Sequence, residues 1–177
     1  GVDSHFYTDL KYDLFVLNFR GFGKSEGEIE SEKQFNQDMQ SVYDYFKKEY
    51  PENKIILFGY SLGTGPAAKL ASTNNPKMLI LKAPYYSIEQ EAKRGFPYLP
   101  IGLLQRYEFP TYKSLEKTKC PVVIFHGDAD KKIPVAQSYE LKKTLKPTDK
   151  LIILKGQGHN HFVENATYIK NLQQLLK

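Results

Sequence analysis

Gly59-Tyr60-Ser61-Leu62-Gly63 sets a hydroxyl between two glycines, where the apolar run Ile55–Phe58 gives way to the small-residue stretch Leu62–Ser72. A G-x-S-x-G match alone is weak, because three residues at ordinary frequencies coincide in roughly 6% of chains this long. The setting strengthens it. The run reads as a strand and the stretch as a helix, so Ser61 falls on a strand–turn–helix corner whose sharpness calls for glycine. There the hydroxyl would stand exposed at the end of the strand, near a helix N-terminus that favours negative charge. A serine hydroxyl is a poor nucleophile until a base takes its proton, and that base needs an orienting carboxylate.

Two later loops offer both. His126-Gly127-Asp128-Ala129-Asp130 begins at the end of the run Pro121–His126, and Gly156-Gln157-Gly158-His159-Asn160 follows the run Leu151–Leu154. Both loops lie at C-terminal ends of strand-like runs, as Ser61 does, and that is the edge where open α/β sheets build their sites. The residues leave alternatives. Asp128 competes with Asp130, and His126 and His161 compete with His159. Asp128 is suited to bracing its loop, His126 to packing at a strand end, and His161 to an exposed helix start. The same histidines and aspartates could be grouped as a metal cluster, but their spacing matches no metal-ligand pattern. The reading therefore calls for no metal and no cofactor. Cys120, the single cysteine, excludes an internal disulfide and reads as a buried, inert thiol.

Strand-like and helix-like segments alternate along the chain. Asp13–Phe19, Lys54–Tyr60, Met78–Ala83, Pro121–His126 and Lys150–Lys155 are short apolar runs of the kind found in parallel sheets covered on both faces. Between them the period becomes helical. Phe35, Met39, Val42, Phe46 and Tyr50 form one stripe, opened by the capping box Ser31–Gln34 and closed by Pro51. Leu62–Ser72, Pro134–Leu145 (Val135, Tyr139, Leu141, Leu145) and Phe162–Leu176 (Phe162, Ile169, Leu172, Leu176) read as further helices. The fold class is α/β, a mostly parallel sheet flanked by helices. Residues Tyr85–Lys113 break the rhythm: they hold three prolines and seven aromatics without clear periodicity. They read as a small insertion over the end of the sheet.

Four segments in order then carry a resemblance: Phe19–Gly27, Gly59–Pro66, His126–Pro134 and Gly156–Asn160. The chain resembles α/β-hydrolases of the small-cap serine esterase and lipase-like group, which includes depalmitoylase-like and monoacylglycerol-lipase-like enzymes. The likeness runs from Asp13 to the C-terminus. It implies Ser61 as nucleophile, Asp130 as acid and His159 as base, the pattern His-Gly-x-x-Asp selecting Asp130 over Asp128. It also implies an oxyanion hole with the Leu62 backbone N–H as one donor. The loop that supplies the second donor, and the strands before Asp13, have no counterpart in this sequence. His5–Leu10 reads as the tail of a helix after such a loop. The expectation is one domain over residues 1–177, lacking the N-terminal strands, with a small cap at about 85–113. The cap residues Phe96, Tyr98, Leu99, Ile101, Leu103 and Leu104, together with Tyr60, are the expected lining of an acyl pocket.

Composition narrows the function classes. With 41% hydrophobic and 25% charged residues, the chain is neither disordered, coiled-coil nor collagen-like. The net charge of +5 comes from scattered lysines, and no nucleic-acid motif accompanies it. A mildly basic surface leaves weak attraction to anionic membranes open, but no run is long enough to span a bilayer. Absence of a signal-peptide pattern points to the cytoplasm. The expected activity is cleavage of a small or lipid-like carboxylic ester or thioester. A peptidase of the same fold and a non-catalytic scaffold are the alternatives.

Overall fold

In a computed structural model, residues 4–93 and 107–177 are described. The helices are α1 (Ser4–Asp9), α2 (Glu32–Glu49), α3 (Thr64–Thr73), α4 (Ile88–Lys93), α5 (Thr111–Lys117), α6 (Ala136–Lys142) and α7 (Ala166–Leu176). The strands are β1 (Ile56–Tyr60), β2 (Met78–Lys82), β3 (Val122–Gly127) and β4 (Lys150–Leu154). They form one sheet in the order β1-β2-β3-β4, every pair parallel. The chain is thus the parallel α/β architecture that its alternating runs predict.

Although the strands read as unbroken apolar runs, their side chains still alternate between two cores. Leu79, Leu81, Val122 and Ile124 meet Ala67, Ala68 and Ala71 of α3, Leu115 of α5 and Leu141 of α6. Ile80, Val123, Phe125 and Leu154 meet Tyr168, Leu172 and Leu176 of α7, with Phe6 and Tyr7 of α1 packed behind. Both faces are covered, which explains why the polar residues of these strands, Lys82, His126 and Lys150, stand at or near strand ends. A third cluster joins Phe35 and Met39 of α2 to Tyr85, Ile88, Tyr107 and Phe109.

Four sequence expectations need correction. Asp13–Phe19 is not a strand. Among the described residues no strand runs beside it, and without a ladder of hydrogen bonds an apolar run has no reason to be one. Phe15 and Val16 are 60% and 63% exposed, while the Phe15 ring leans on that of Phe46 with centres 4.4 Å apart. On α2 the buried face is Phe35, Met39 and Tyr43, so Val42 is displaced and Tyr50 turns outward to donate to Asp13. The helix expected over Pro134–Leu145 is Ala136–Lys142, buries Gln137, Ser138 and Leu141, and leaves Tyr139 49% exposed. The final helix is interrupted: Phe162–Glu164 is a 3-10 turn, and Asn165 starts α7 by accepting from the Tyr168 N–H.

The capping box at Ser31 forms, with one shift. Ser31 Oγ accepts from the Gln34 N–H at 3.0 Å, and Gln34 Oε1 accepts from the N–H of Glu30 rather than Ser31. Among the described residues of 85–113, the short helix α4 stands and α5 begins at Thr111 where no period was visible, since six or seven residues are too few to display one. Phe96, Tyr98, Leu99, Ile101, Leu103 and Leu104 lie outside the described residues. Among the described residues no helix is long and apolar enough to cross a membrane.

Candidate active site

The corner after β1 is tight. A Cβ on Gly59 would sit 2.8 Å from Thr64 Cα and 2.9 Å from Ala67 Cβ, so only glycine lets α3 turn back so closely on its strand. Ser61 follows with φ of 50°, a left-handed conformation that a non-glycine residue adopts only when its surroundings impose it. Ser61–Gly63 make a 3-10 turn and α3 begins at Thr64. The Ser61 carbonyl accepts from the Thr64 N–H and from Thr64 Oγ1, the latter at 2.6 Å. The next carbonyl, that of Leu62, accepts from the hydroxyl of fully buried Tyr85 at 3.4 Å.

Ser61, Asp130 and His159 come together although they are 98 and 29 residues apart. His159 Nε2 lies 3.0 Å from Ser61 Oγ, and His159 Nδ1 lies 2.7 Å from Asp130 Oδ2. A carboxylate only accepts, so Nδ1 carries the proton, and Nε2 is left to accept from the serine hydroxyl. Asp130 is heavily anchored. Its Oδ1 accepts from the Lys132 and Ile133 N–H groups at 2.8 and 2.9 Å, and its side chain is 0% exposed. Burial alone would raise its pKa. Hydrogen bonds from His126, His159 and the Ile133 N–H outweigh burial and hold the carboxyl well below the usual carboxylate range. Asp130 is therefore held as the anion.

The competing residues have other occupations. Asp128 Oδ1 accepts from the Gly156 N–H at 2.7 Å and ties the two loops together, the bracing role its position suggests. His126 is buried; its Nε2–H donates to the Ile133 carbonyl at 2.8 Å, so Nδ1 accepts from Ser138 Oγ at 2.6 Å. The same Nε2 stands 3.5 Å from Asp130 Oδ2, which gives the acid a second histidine neighbour. His161 is exposed and pairs with Glu164 at 3.0 Å. Cys120 is a buried free thiol. Arg20 makes a two-pronged ion pair with Asp38, 2.7 Å on each prong, which pins its glycine-rich loop to α2. Among the described residues no group of three or more His, Cys, Asp or Glu side chains is arranged to hold a metal ion.

Several contributors escape a reading of the sequence. The Tyr60 hydroxyl shares its proton between the His159 carbonyl, at 2.8 Å, and Asn160 Oδ1, at 2.7 Å. Its ring lies 5.4 Å from the imidazole, so Tyr60 braces the histidine loop from the residue beside Ser61. Behind it, Lys82 Nζ lies 4.6–5.6 Å from the centres of the Phe58, Tyr60, Phe162 and Tyr168 rings. Burial pushes its pKa down to about 8. Gly127 touches the His159 loop so closely that a Cβ would meet the Gln157 carbonyl oxygen at 2.0 Å. Only the glycine of His-Gly-x-x-Asp signals this in the sequence. An apolar cavity of about 10 Å³ borders the corner, lined by Phe19, Phe22, Phe35, Leu62 and Phe109 among others. That is room for one water and no acyl chain.

The profile of the family described as "serine aminopeptidase, S33" matches residues 6–107. The chain is 28% identical over 172 residues to the alpha/beta hydrolase domain-containing protein aho-3 of Caenorhabditis elegans, covering 94% of this chain and 49% of that protein. It is 28% identical over 149 residues to the lysophosphatidylserine lipase ABHD12 of Rattus norvegicus, covering 72% and 36%. The chain thus spans at most about half the length of these curated relatives. An esterase of Pyrococcus furiosus superposes with a TM-score of 0.75 at 18% identity, over 97% of this chain and 71% of that one. At that identity the likeness speaks to fold.

Proposed function

The chain belongs to the serine aminopeptidase S33 family of the α/β-hydrolases, and from that premise we propose a serine hydrolase that cleaves carboxylic esters or thioesters through an acyl-enzyme. The observation that carries the reading is the unbroken chain Ser61 Oγ, His159 Nε2, His159 Nδ1, Asp130 Oδ2, with contacts of 3.0 and 2.7 Å. As Ser61 Oγ attacks the acyl carbon, His159 Nε2 takes its proton. Asp130 holds the imidazole in the tautomer that can accept and stabilises the imidazolium that forms. The Leu62 N–H donates to the carbonyl oxygen as it becomes negative. His159 then returns the proton to the departing alcohol or thiol. Water repeats the cycle on the acyl-enzyme and releases the acid.

Esters are preferred over peptides because the relatives include a protein named as a lipase and the fold neighbours one named as an esterase. The family's description keeps aminopeptidase activity as a second reading. The acyl-lining role of Phe96, Tyr98, Leu99, Ile101, Leu103 and Leu104 remains a proposal on residues outside those described. Tyr60 is spoken for by the histidine loop, so its share in substrate contact is limited to its ring.

Labelling of the full-length protein with a fluorophosphonate, compared with Ser61→Ala, tests the proposal. The expected result is labelling that disappears in the variant. Absence of Ser61-dependent labelling would overturn catalysis and favour a scaffold. Turnover of p-nitrophenyl esters of rising chain length against aminoacyl anilides then separates the ester and peptide readings.

A further inference from the structure

We propose that Thr64 is a positioning residue for transition-state stabilisation: it orients and polarises the Ser61–Leu62 peptide so that the Leu62 N–H faces the oxyanion. The inference rests on the serine-hydrolase reading and adds a residue to its machinery. Thr64 is wholly buried at the first position of α3. Its hydroxyl donates to the Ser61 carbonyl oxygen at 2.6 Å, and its backbone N–H donates to the same oxygen. A carbonyl has two acceptor positions, so both are filled from the α3 side.

Geometry does the rest. The Ser61–Leu62 peptide is planar and trans, so its carbonyl and its N–H point in opposite directions. Anchoring the oxygen on α3 turns the Leu62 N–H away from the helix, to the open side of the corner. The anchor has a reason to exist, because Ser61 sits at φ 50°, a strained conformation for a non-glycine residue that persists only where its surroundings hold it. A short bond to the carbonyl also draws electron density toward the oxygen and leaves the N–H a stronger donor. The backbone N–H of Thr64 by itself suffices to close the 3-10 turn. What the hydroxyl adds is a second, side-chain restraint on a peptide whose N–H meets developing charge. A plain helix-start role would touch stability and leave the reaction alone.

The experiment compares full-length wild type, Thr64→Val and Thr64→Ser. Valine keeps the shape and removes the donor; serine restores it. Thr64→Val should lower kcat for p-nitrophenyl acetate about 10-fold, less than the roughly 10²–10³ for deleting an oxyanion donor outright. KM should stay within about twofold, the signature of an interaction made in the transition state. Affinity for a trifluoromethyl ketone, which forms a tetrahedral adduct on Ser61, should fall by the same factor, and that for the acetate product should not. Thr64→Ser should recover most of the loss. If Thr64→Val does not fold, Thr64→Cys, nearly the same size with a weak donor, is expected to show the same pattern at smaller size. Unchanged kcat, or a loss that leaves adduct affinity intact, overturns the proposal while the hydrolase reading stands. Absence of Ser61-dependent labelling in wild type overturns both.

Discussion

Replacing Gly127 by alanine should pull apart the two loops that hold the acid and the base. Gly127 closes β3, and an added methyl would lie 2.0 Å from the Gln157 carbonyl oxygen and 2.6 Å from its carbon. Carbon–oxygen contacts settle at about 3.3 Å, so the loops must part by about 1.3 Å. Both obstructing atoms are backbone, and no rotamer change relieves them. The bonds that stitch the loops, Ala129 N–H to the Gln157 carbonyl at 3.1 Å and Gly156 N–H to Asp128 Oδ1 at 2.7 Å, bear the strain. Overpacking costs about 1–3 kcal/mol, and losing one stitch adds about 1 kcal/mol. A melting temperature lower by roughly 10 °C follows for a domain of this size. Moving His159 about 1 Å relative to Asp130 and Ser61 should slow reaction by about 10²-fold. The measurements are thermal melting and the rate of Ser61-dependent fluorophosphonate labelling, taken where both proteins are folded. Gly158→Ala, in the same loop, is the control, because a Cβ there meets nothing within 4 Å. If Gly127→Ala melts and labels like wild type, or if Gly158→Ala loses as much, the reasoning from loop contact is wrong.

Tyr60→Phe removes the proton shared by the His159 carbonyl and Asn160. At about 1 kcal/mol for such a bond, kcat should fall about fivefold with little change in KM; a rise in KM alone would return Tyr60 to substrate binding. Lys82→Met tests the buried ammonium. With the folded pKa pushed down to about 8 from 10.5, the unfolded chain binds more protons between those values, so Lys82 contributes stability that rises as pH climbs through that window. Urea midpoints should therefore favour the methionine variant most at pH 7 and least near pH 10, tyrosine titrations common to both cancelling in the difference. A pH-independent gap would show that the four rings fully compensate burial.

The four strands were legible because burial on both faces forces largely apolar runs, and among the described residues no other element of five or six residues has that composition. The exception is instructive. Asp13–Phe19 has the same composition, but a strand also needs a neighbour, and composition says nothing about neighbours. Helix faces were legible to within one position. Whether Val42 or Tyr43 turns inward depends on the surface α2 packs against, and that surface is made of residues distant in sequence.

The chemistry divides in the same way. Ser61, Asp130 and His159 were among the candidates offered by residue type and places at strand ends, since a parallel sheet delivers all its C-terminal ends to one edge, and the resemblance chose among them. Choosing Asp130 over Asp128 needed the motif, and the structure gives the physical reason: Asp128 is spent on Gly156, and Asp130 on His159. Tertiary structure alone decided the supporting contacts. Tyr60 reaches across 99 residues to the His159 carbonyl, Gly127 presses on Gln157, and His126 stands beside the acid. Apart from the glycine of His-Gly-x-x-Asp, none has a local signature, because a hydrogen bond or a close approach between loops is set by where two strands end in space. Sequence supplied the candidate groups; the packing of strand ends determined which contacts hold them in place.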